Sequence, residues 1–411
     1  MIAVDPLELV DPDRYAQRGY PHDVWTELRA HAPVAWIEPP ELEPFWAITK
    51  HADITEITKQ PLRFSSAQGI TLRRAGAPPM PPQDVLVLVD PPKHVPLRRV
   101  ANPRFSPKAI RARREGIERI ALDIVANAVP AGSAASGELD FVEAIAAPFP
   151  LAVIASMLGV VKEDWGLLFR WTNEVIGKND PEYRRPGESA GQTIKRARGE
   201  LHAYFGQIIE ERRRAPRDDD LVSDLIAGEV EGEPLTPEQL VAYCELLVEA
   251  GNETTRNAIS AGVLALCENP DEWRKLRGGA DITDAVEEIL RWASPISHFI
   301  RVATEDVDIR GTAIGAGDEV ALYFASANRD EEVFDEPFAF RIDRHPNPHL
   351  AFGFGEHFCM GAQLARIELD VMFQLLRTRF ETFEVAGPVE RLSSITNGSL
   401  KHLPVSYRVA G

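Results

Sequence analysis

Cysteine is scarce. The 411 residues hold three, Cys244, Cys267 and Cys359, widely spaced and odd in number. No CxxC pair occurs, which argues against a disulfide framework or a zinc ribbon. Long apolar runs are missing too. The first twenty residues, MIAVDPLELVDPDRYAQRGY, carry charges throughout, so they hold neither a signal peptide nor an anchor. No later stretch approaches the roughly 20 apolar residues of a membrane span. The expectation is a cytoplasmic protein with no membrane partner. Positive charge is in deficit, at a net −18, which argues against nucleic acid as a partner. Internal repeats and low-complexity tracts are absent as well. One segment runs against the charge balance: Arg98 to Arg114, RRVANPRFSPKAIRARR, has seven basic residues and no acidic one.

What is present is enough for a large core, since 44% of the residues are hydrophobic. Length alone suggests two or three domains. The clearest element runs from Pro237 to Glu268. Thr236 serves as N-cap, Pro237 suits the first helical position and Gln239 completes a capping box, while Asn269-Pro270 stops the helix. At about 1.5 Å per residue this is a rod of about 48 Å. Helical periodicity also marks parts of 22–31, 107–128, 140–158, 193–213, 284–292 and 360–378. FWAIT, VDIRGTAI and EVALYF read as short strands. The segments 75–84 and 178–189, rich in Pro and Gly, read as loops. The fold class is mainly α with small β-sheets.

Cys244 and Cys267 lie inside the long helix and read as small buried hydrophobes. Cys359 sits differently, in FGFGEHFCMG, residues 352–361. Gly353 and Gly355 free the backbone for a tight turn. Helical pattern starts directly after, in MGAQLARIELDVMF, so Cys359 stands near a helix N-terminus that favours thiolate. Gly361 leaves room for something flat and large to come close. A thiolate here could be a nucleophile, a zinc ligand, or a haem or iron–sulfur ligand. A nucleophile wants a base and an orienting partner, and beyond His357 the segment resembles no protease or acyltransferase. An axial haem ligand suits the setting better, since thiolate donation favours O–O cleavage. FGFGEHFCMG matches every fixed position of F-G-x-G-x-H/R-x-C-x-G, and in this the chain resembles the cytochrome P-450 family.

The middle of the long helix reads AGNETT, Ala250 to Thr255. Glycine in a helix interior costs about 1 kcal/mol against alanine. The outcome is either a break or one helix with a local distortion. The segment resembles the family's A/G-G-x-D/E-T-T/S motif, with Glu253 where many relatives have Asp. That resemblance implies a groove for dioxygen at Ala250 and Gly251, with Thr254 and Glu253 handling protons. In EEILRW, Glu288 and Arg291 stand at i, i+3. Alone this is an ordinary surface ion pair; here it resembles the family's structural E-x-x-R pair. The Arg that joins that pair in relatives falls on EPFAF, where Ala339 stands. DPPKHVPLRR places His94 and Arg98 at i, i+4, and Arg301 and His357 complete four positions that hold haem propionates in the family. Phe352, Gly353 and Gly361 are the further cofactor contacts implied. SITNGSLKHLPVSY resembles the family's terminal β-hairpin, whose turn closes the substrate pocket.

The resemblance spans residues 10 to 410 and implies a single domain, 1–411. Haem b would lie between the long helix and the cysteine loop, with Cys359 as axial ligand. The implied reaction is monooxygenation of a hydrophobic small molecule by dioxygen. VEAGNETTRN and GSLKHLPV resemble members acting on terpenoids, steroids and other lipids. Pocket positions implied are Leu246, Glu249, Ile296, Phe299, Ile395 and Thr396. No flavin or iron–sulfur segment is present, so NAD(P)H electrons are expected from a separate ferredoxin and its reductase, docking near Arg111, Arg113 and Arg114. A monomer is expected. Two rivals stand beside this reading: a haem-thiolate peroxygenase, which tends to replace the acid–alcohol pair, and a haem gas sensor or carrier, which leaves AGNETT and the basic segment unexplained.

Overall fold

The computed structural model describes residues 5–411 apart from 82, 131, 133, 134, 178 and 179. The first four residues, Pro82 of the loop 75–84, and Lys178 and Asn179 of the loop 178–189 lie outside the described residues. In chain order the α-helices are α1 (Pro12–Arg18), α2 (His22–His31), α3 (His51–Thr58), α4 (His94–Phe105), α5 (Pro107–Ala112), α6 (Arg114–Ala128), α7 (Pro148–Met157) and α8 (Trp165–Ile176). There follow α9 (Ala190–Arg214), α10 (Leu221–Ala227), α11 (Pro237–Glu268), α12 (Pro270–Arg277), α13 (Ile282–Ala293), α14 (Phe324–Ala327) and α15 (Ala362–Arg379). They fall into two compact units, each discontinuous in sequence. One comprises Met1–His94, Thr283–Met360 and Ser394–Gly398; the other comprises Val95–Ile282, Gly361–Ser393 and Ser399–Gly411.

The first unit is built on a five-stranded sheet in the order Val34–Ile37, Phe45–Ile48, Glu319–Tyr323, His298–Ala303, Phe64–Ser65. Only the pairing of Glu319–Tyr323 with Phe45–Ile48 is parallel. EVALYF shows no polar alternation because both of its faces are covered. Ala321 and Tyr323 pack with Trp25 and Phe45 on one side, and Val320 and Leu322 with Ile54 and Phe64 on the other. VDIRGTAI folds into the hairpin Val307–Ile309 and Thr312–Ile314, with Arg310 and Gly311 both at positive φ as a two-residue turn demands.

The E-x-x-R pair is no surface bridge. Glu288 and Arg291 on α13 are fully buried, and Arg291 grips both carboxylate oxygens at 2.7 Å. A second arginine does join them. Arg344 donates to Glu288 at 3.1 Å, and the Arg341 amide and Asn347 also reach that carboxylate. Ala339 contributes its carbonyl, which accepts from both Arg291 and Arg344. The reading that Ala339 leaves the network without its second arginine is thus corrected: the guanidinium comes from five residues downstream. Glu288→Ala would strand two buried guanidiniums, and thermal or urea unfolding should show a loss of about 3–5 kcal/mol.

The second unit holds α11, an unbroken 32-residue helix with the expected capping box of Thr236 and Gln239. A three-stranded antiparallel sheet, Phe380–Val385, Pro404–Val409 and Ser136–Asp140, belongs to the same unit. Two expected helices are interrupted. The pattern over 107–128 splits at Arg113 into α5 and α6. That over 140–158 starts as a π turn, Val142–Ala146, before α7, whose Pro148 and Pro150 lack the N–H a continuous helix needs. Among the described residues no helix is long and apolar enough to cross a membrane.

Candidate functional site

The cysteine loop belongs to the first unit. A 3-10 turn, Gly355–His357, lifts the chain before Cys359, whose amide donates to the Phe352 carbonyl at 2.9 Å. The amide of Cys359 is thus spent on the loop itself. Gly353 and Gly355 both have positive φ. Gly355 is required twice over, because a Cβ there would collide with the carbonyl oxygen of Thr58 at the end of α3. Gly355→Ala should therefore deform the loop, and the purified variant should retain little bound haem. Cys359 is exposed, as are Phe354 and Phe358 beside it.

Two basic side chains of this unit meet at the loop, and a third, Arg301, lies buried on the central sheet. The rings of His94 and His357 lie 4.4 Å apart. His94 Nδ1 is 3.0 Å from Glu356, and Ser66 Oγ is 3.3 Å from His357 Nε2. Arg301, on the strand His298–Ala303, is buried and its Nη1 donates to the Ile300 carbonyl at 2.8 Å. Burial pushes its pKa down to about 10 against the pull of Asp90. Arg98 stands one turn beyond His94 on α4. Neither Arg98 nor Arg301 makes an ion pair among the described residues. A buried guanidinium without a carboxylate partner is costly, and it fits a cofactor that brings its own carboxylates, as haem does. Ile296 pairs with Asn397, and Ser297 bonds the carbonyls of Ile395 at 2.6 Å and Thr396 at 2.7 Å. These expected pocket positions do come together. Phe299 packs instead on Phe324.

In the second unit, AGNETT stays helical from end to end. Of the two outcomes the sequence leaves open, a break or one helix with a local distortion, the break does not occur, and the helix type does not change through the motif. The signature is a side-chain bond: Thr254 Oγ1 donates to the Ala250 carbonyl at 2.8 Å. Ala250 is exposed in mid-helix, and Leu246, Glu249, Gly251 and Thr254 are partly so, while Asn252, Glu253 and the run from Thr255 to Ser260 are buried. One stripe of α11 is therefore accessible. Gly251 has a packing role, since a Cβ there would press on Ile154 of α7 at 3.2 Å.

Glu253 is buried and paired. Arg256, one turn on, donates to Glu253 Oε1 at 2.5 Å and to Asn173 Oδ1 of α8 at 3.0 Å. Glu253 Oε2 is buried without a hydrogen-bond partner. Glu368 of α15 is also fully buried, and desolvation raises its pKa well above the usual carboxylate range, with Thr255 opposing. Sequence reasoning missed Arg256, Asn173, Glu356 and Glu368. Only Arg256 carried a signal, its i, i+3 spacing from Glu253.

Of the basic segment, Arg111 is exposed with no ion pair among the described residues. Arg113 donates to the Asp219 carbonyl at 2.9 Å, and Arg114 is paired to Glu118 at 2.8 Å and Asp370 at 2.5 Å. The local positive charge is thus partly neutralised within the chain.

The cytochrome P450 family profile matches residues 15–281 and 282–406. The chain is 35% identical to linalool 8-monooxygenase of Pseudomonas putida over 97% of its own length and 98% of that protein's. It is 36% identical to steroid C26-monooxygenase of Rhodococcus jostii, covering 98% and 85%. Its fold superposes on the crystal structure of CYP108D1 from Novosphingobium aromaticivorans with a TM-score of 0.87 and 32% identity, over 98% of this chain and 97% of that one. With agreement of this extent, the chain belongs to the cytochrome P450 family, whose members are monooxygenases that carry haem b on a cysteine thiolate.

Proposed function

We propose that this monooxygenase oxidises an end-of-chain carbon of a branched, apolar substrate of the terpenoid or steroid class. Support comes from the relatives' names: carbon 8 of linalool and carbon 26 of a steroid side chain are both terminal carbons. Residues 1–411 act as one catalytic domain, as a monomer in the cytoplasm. Cys359 would hold the haem iron through its thiolate, and His94, Arg98, Arg301 and His357 would take the haem carboxylates. When bound, haem supplies the cleavage of dioxygen and the oxidising power for the C–H bond.

The chain's own part is proton control. The Thr254 hydroxyl donates a hydrogen bond to the Ala250 carbonyl, which leaves its lone pairs to accept from a proton-bearing neighbour. Glu253 is screened by Arg256 and must part from it before its carboxylate takes up and passes on a proton. The observation that carries the reading is this intact pair: an accessible alcohol beside a buried acid on α11. A peroxygenase of this family tends to replace that pair.

Electrons come from NAD(P)H through a separate ferredoxin and its reductase. Purified protein supplied with NADH, ferredoxin and reductase should convert terpenoid or steroid probes and consume dioxygen. Product from hydrogen peroxide alone would favour the peroxygenase, and neither reaction would favour the carrier. Arg111→Glu should slow ferredoxin-driven turnover several-fold at low salt, where a lost surface charge is felt most, and leave substrate binding unchanged.

A further inference from the structure

Both ring nitrogens of His402, on the strand Leu400–His402, face carboxylates. Nδ1 is 2.6 Å from Asp140 and Nε2 is 3.1 Å from Glu182. A neutral imidazole donates from one nitrogen only, and an ionised carboxylate has no proton to give. Both contacts are hydrogen bonds only while the ring holds its second proton. Beside it, Lys401 reaches Glu182 at 3.0 Å, Asp180 at 3.2 Å and Glu390 at 3.8 Å. Glu143 lies 4.0 Å from His402 Nδ1. The charged groups around the ring are therefore Asp140 from its strand, Glu143 from the π turn, Glu182 from the turn Pro181–Tyr183, Glu390 from the strand Glu390–Arg391, and Lys401 next door.

Asp180 and Glu182 belong to the connection between α8 and α9, and a second clamp holds that connection. Arg185 donates to both oxygens of Glu174 and both of Glu200, at 2.6–2.9 Å. In that clamp the hydrogen bond from Arg185 holds the Glu200 carboxyl down at about 2. Between the clamps, Tyr183 packs so closely over Gly177 that no Cβ fits there. Tyr183 also lies within electrostatic reach of Arg256 and Glu253.

We propose that Lys401 and His402 form a proton-operated latch on the α8–α9 connection, closed while His402 is charged and loosened when it loses its proton. Burial disfavours the charge on His402, but the bond to Asp140 and the charge of Glu182 outweigh it and raise its pKa above the ordinary 6.5. The folded-state value being the higher one, the latch's contribution is complete below pH 6.5 and fades as pH rises through the raised value. Lys401 and Arg185 keep their charge over that range, so the connection loosens without detaching.

The test is hydrogen exchange of residues 180–189 in the haem-loaded enzyme between about pH 6 and 9. Wild type is compared with His402→Gln at each pH, so that the intrinsic pH dependence of exchange cancels. Protection of wild type relative to the variant should fall about fivefold through one titration, with the midpoint that NMR gives for the His402 ring. A flat ratio, or a step that survives in His402→Gln, overturns the latch. Glu182→Gln serves as a second variant and should lower both midpoints together; an unmoved ring midpoint would count equally against it. The latch depends on no assignment of catalytic residues, and exchange reports it independently of turnover.

Discussion

Replacing Cys359 with histidine is expected to abolish the red-shifted Soret band that reduced haem-thiolate protein shows with carbon monoxide. Oxygen-dependent turnover should fall at least about a hundredfold, more than the loss of a ligand's hydrogen-bond partner costs. The other two cysteines cannot substitute. Burial pushes the thiols of Cys244 and Cys267 up to about 12, so neither is thiolate at neutral pH. Cys359 is the exposed one, in a loop whose turn is set by Gly353 and Gly355 rather than by the thiol, so the variants should fold. The check is the carbon monoxide difference spectrum of reduced Cys359→Ala and Cys359→His. Persistence of the thiolate band in either would place the ligand elsewhere.

The second large effect belongs to Thr254. Thr254→Ala should leave haem content, reduction and NADH consumption near wild type while product formation drops roughly a hundredfold, the scale of losing a positioned proton-transfer group. The missing electrons should appear as hydrogen peroxide. The variant gives up one bond to the Ala250 carbonyl at a partly accessible position, so little stability is at stake. Thr254→Ser should restore most of the coupling. Equal product per NADH in wild type and Thr254→Ala would remove the hydroxyl from proton delivery.

What was legible in the sequence is what is local. The capping box of α11, the glycines of the cysteine loop and the AGNETT motif each act within a few residues of chain. The capping box, the tight glycine turn and the unbroken helix through AGNETT are all present. What stayed hidden depends on partners distant in sequence. Ala339 looked like a missing arginine because spacing alone cannot show that Arg344 folds back onto Glu288. Glu253 looked like a free acid because nothing in the motif says that Arg256, braced by Asn173 of α8, covers it. Arg113 and Arg114 looked like open positive charge until Asp219 and Asp370 were found against them. That a Cβ at Gly251 would press on Ile154 of α7 was likewise out of reach of the motif alone.

The most direct measurement is the fate of labelled oxygen in coupled turnover. Enzyme, ferredoxin, reductase and NADH would be supplied with ¹⁸O₂ and whichever terpenoid or steroid probe gives the largest spectral shift on binding. The account predicts one labelled oxygen atom on a terminal carbon of the product, none taken from water, and NADH, dioxygen and product exchanged in equal amounts. Unlabelled product, or product formed only when hydrogen peroxide replaces NADH and dioxygen, would contradict it.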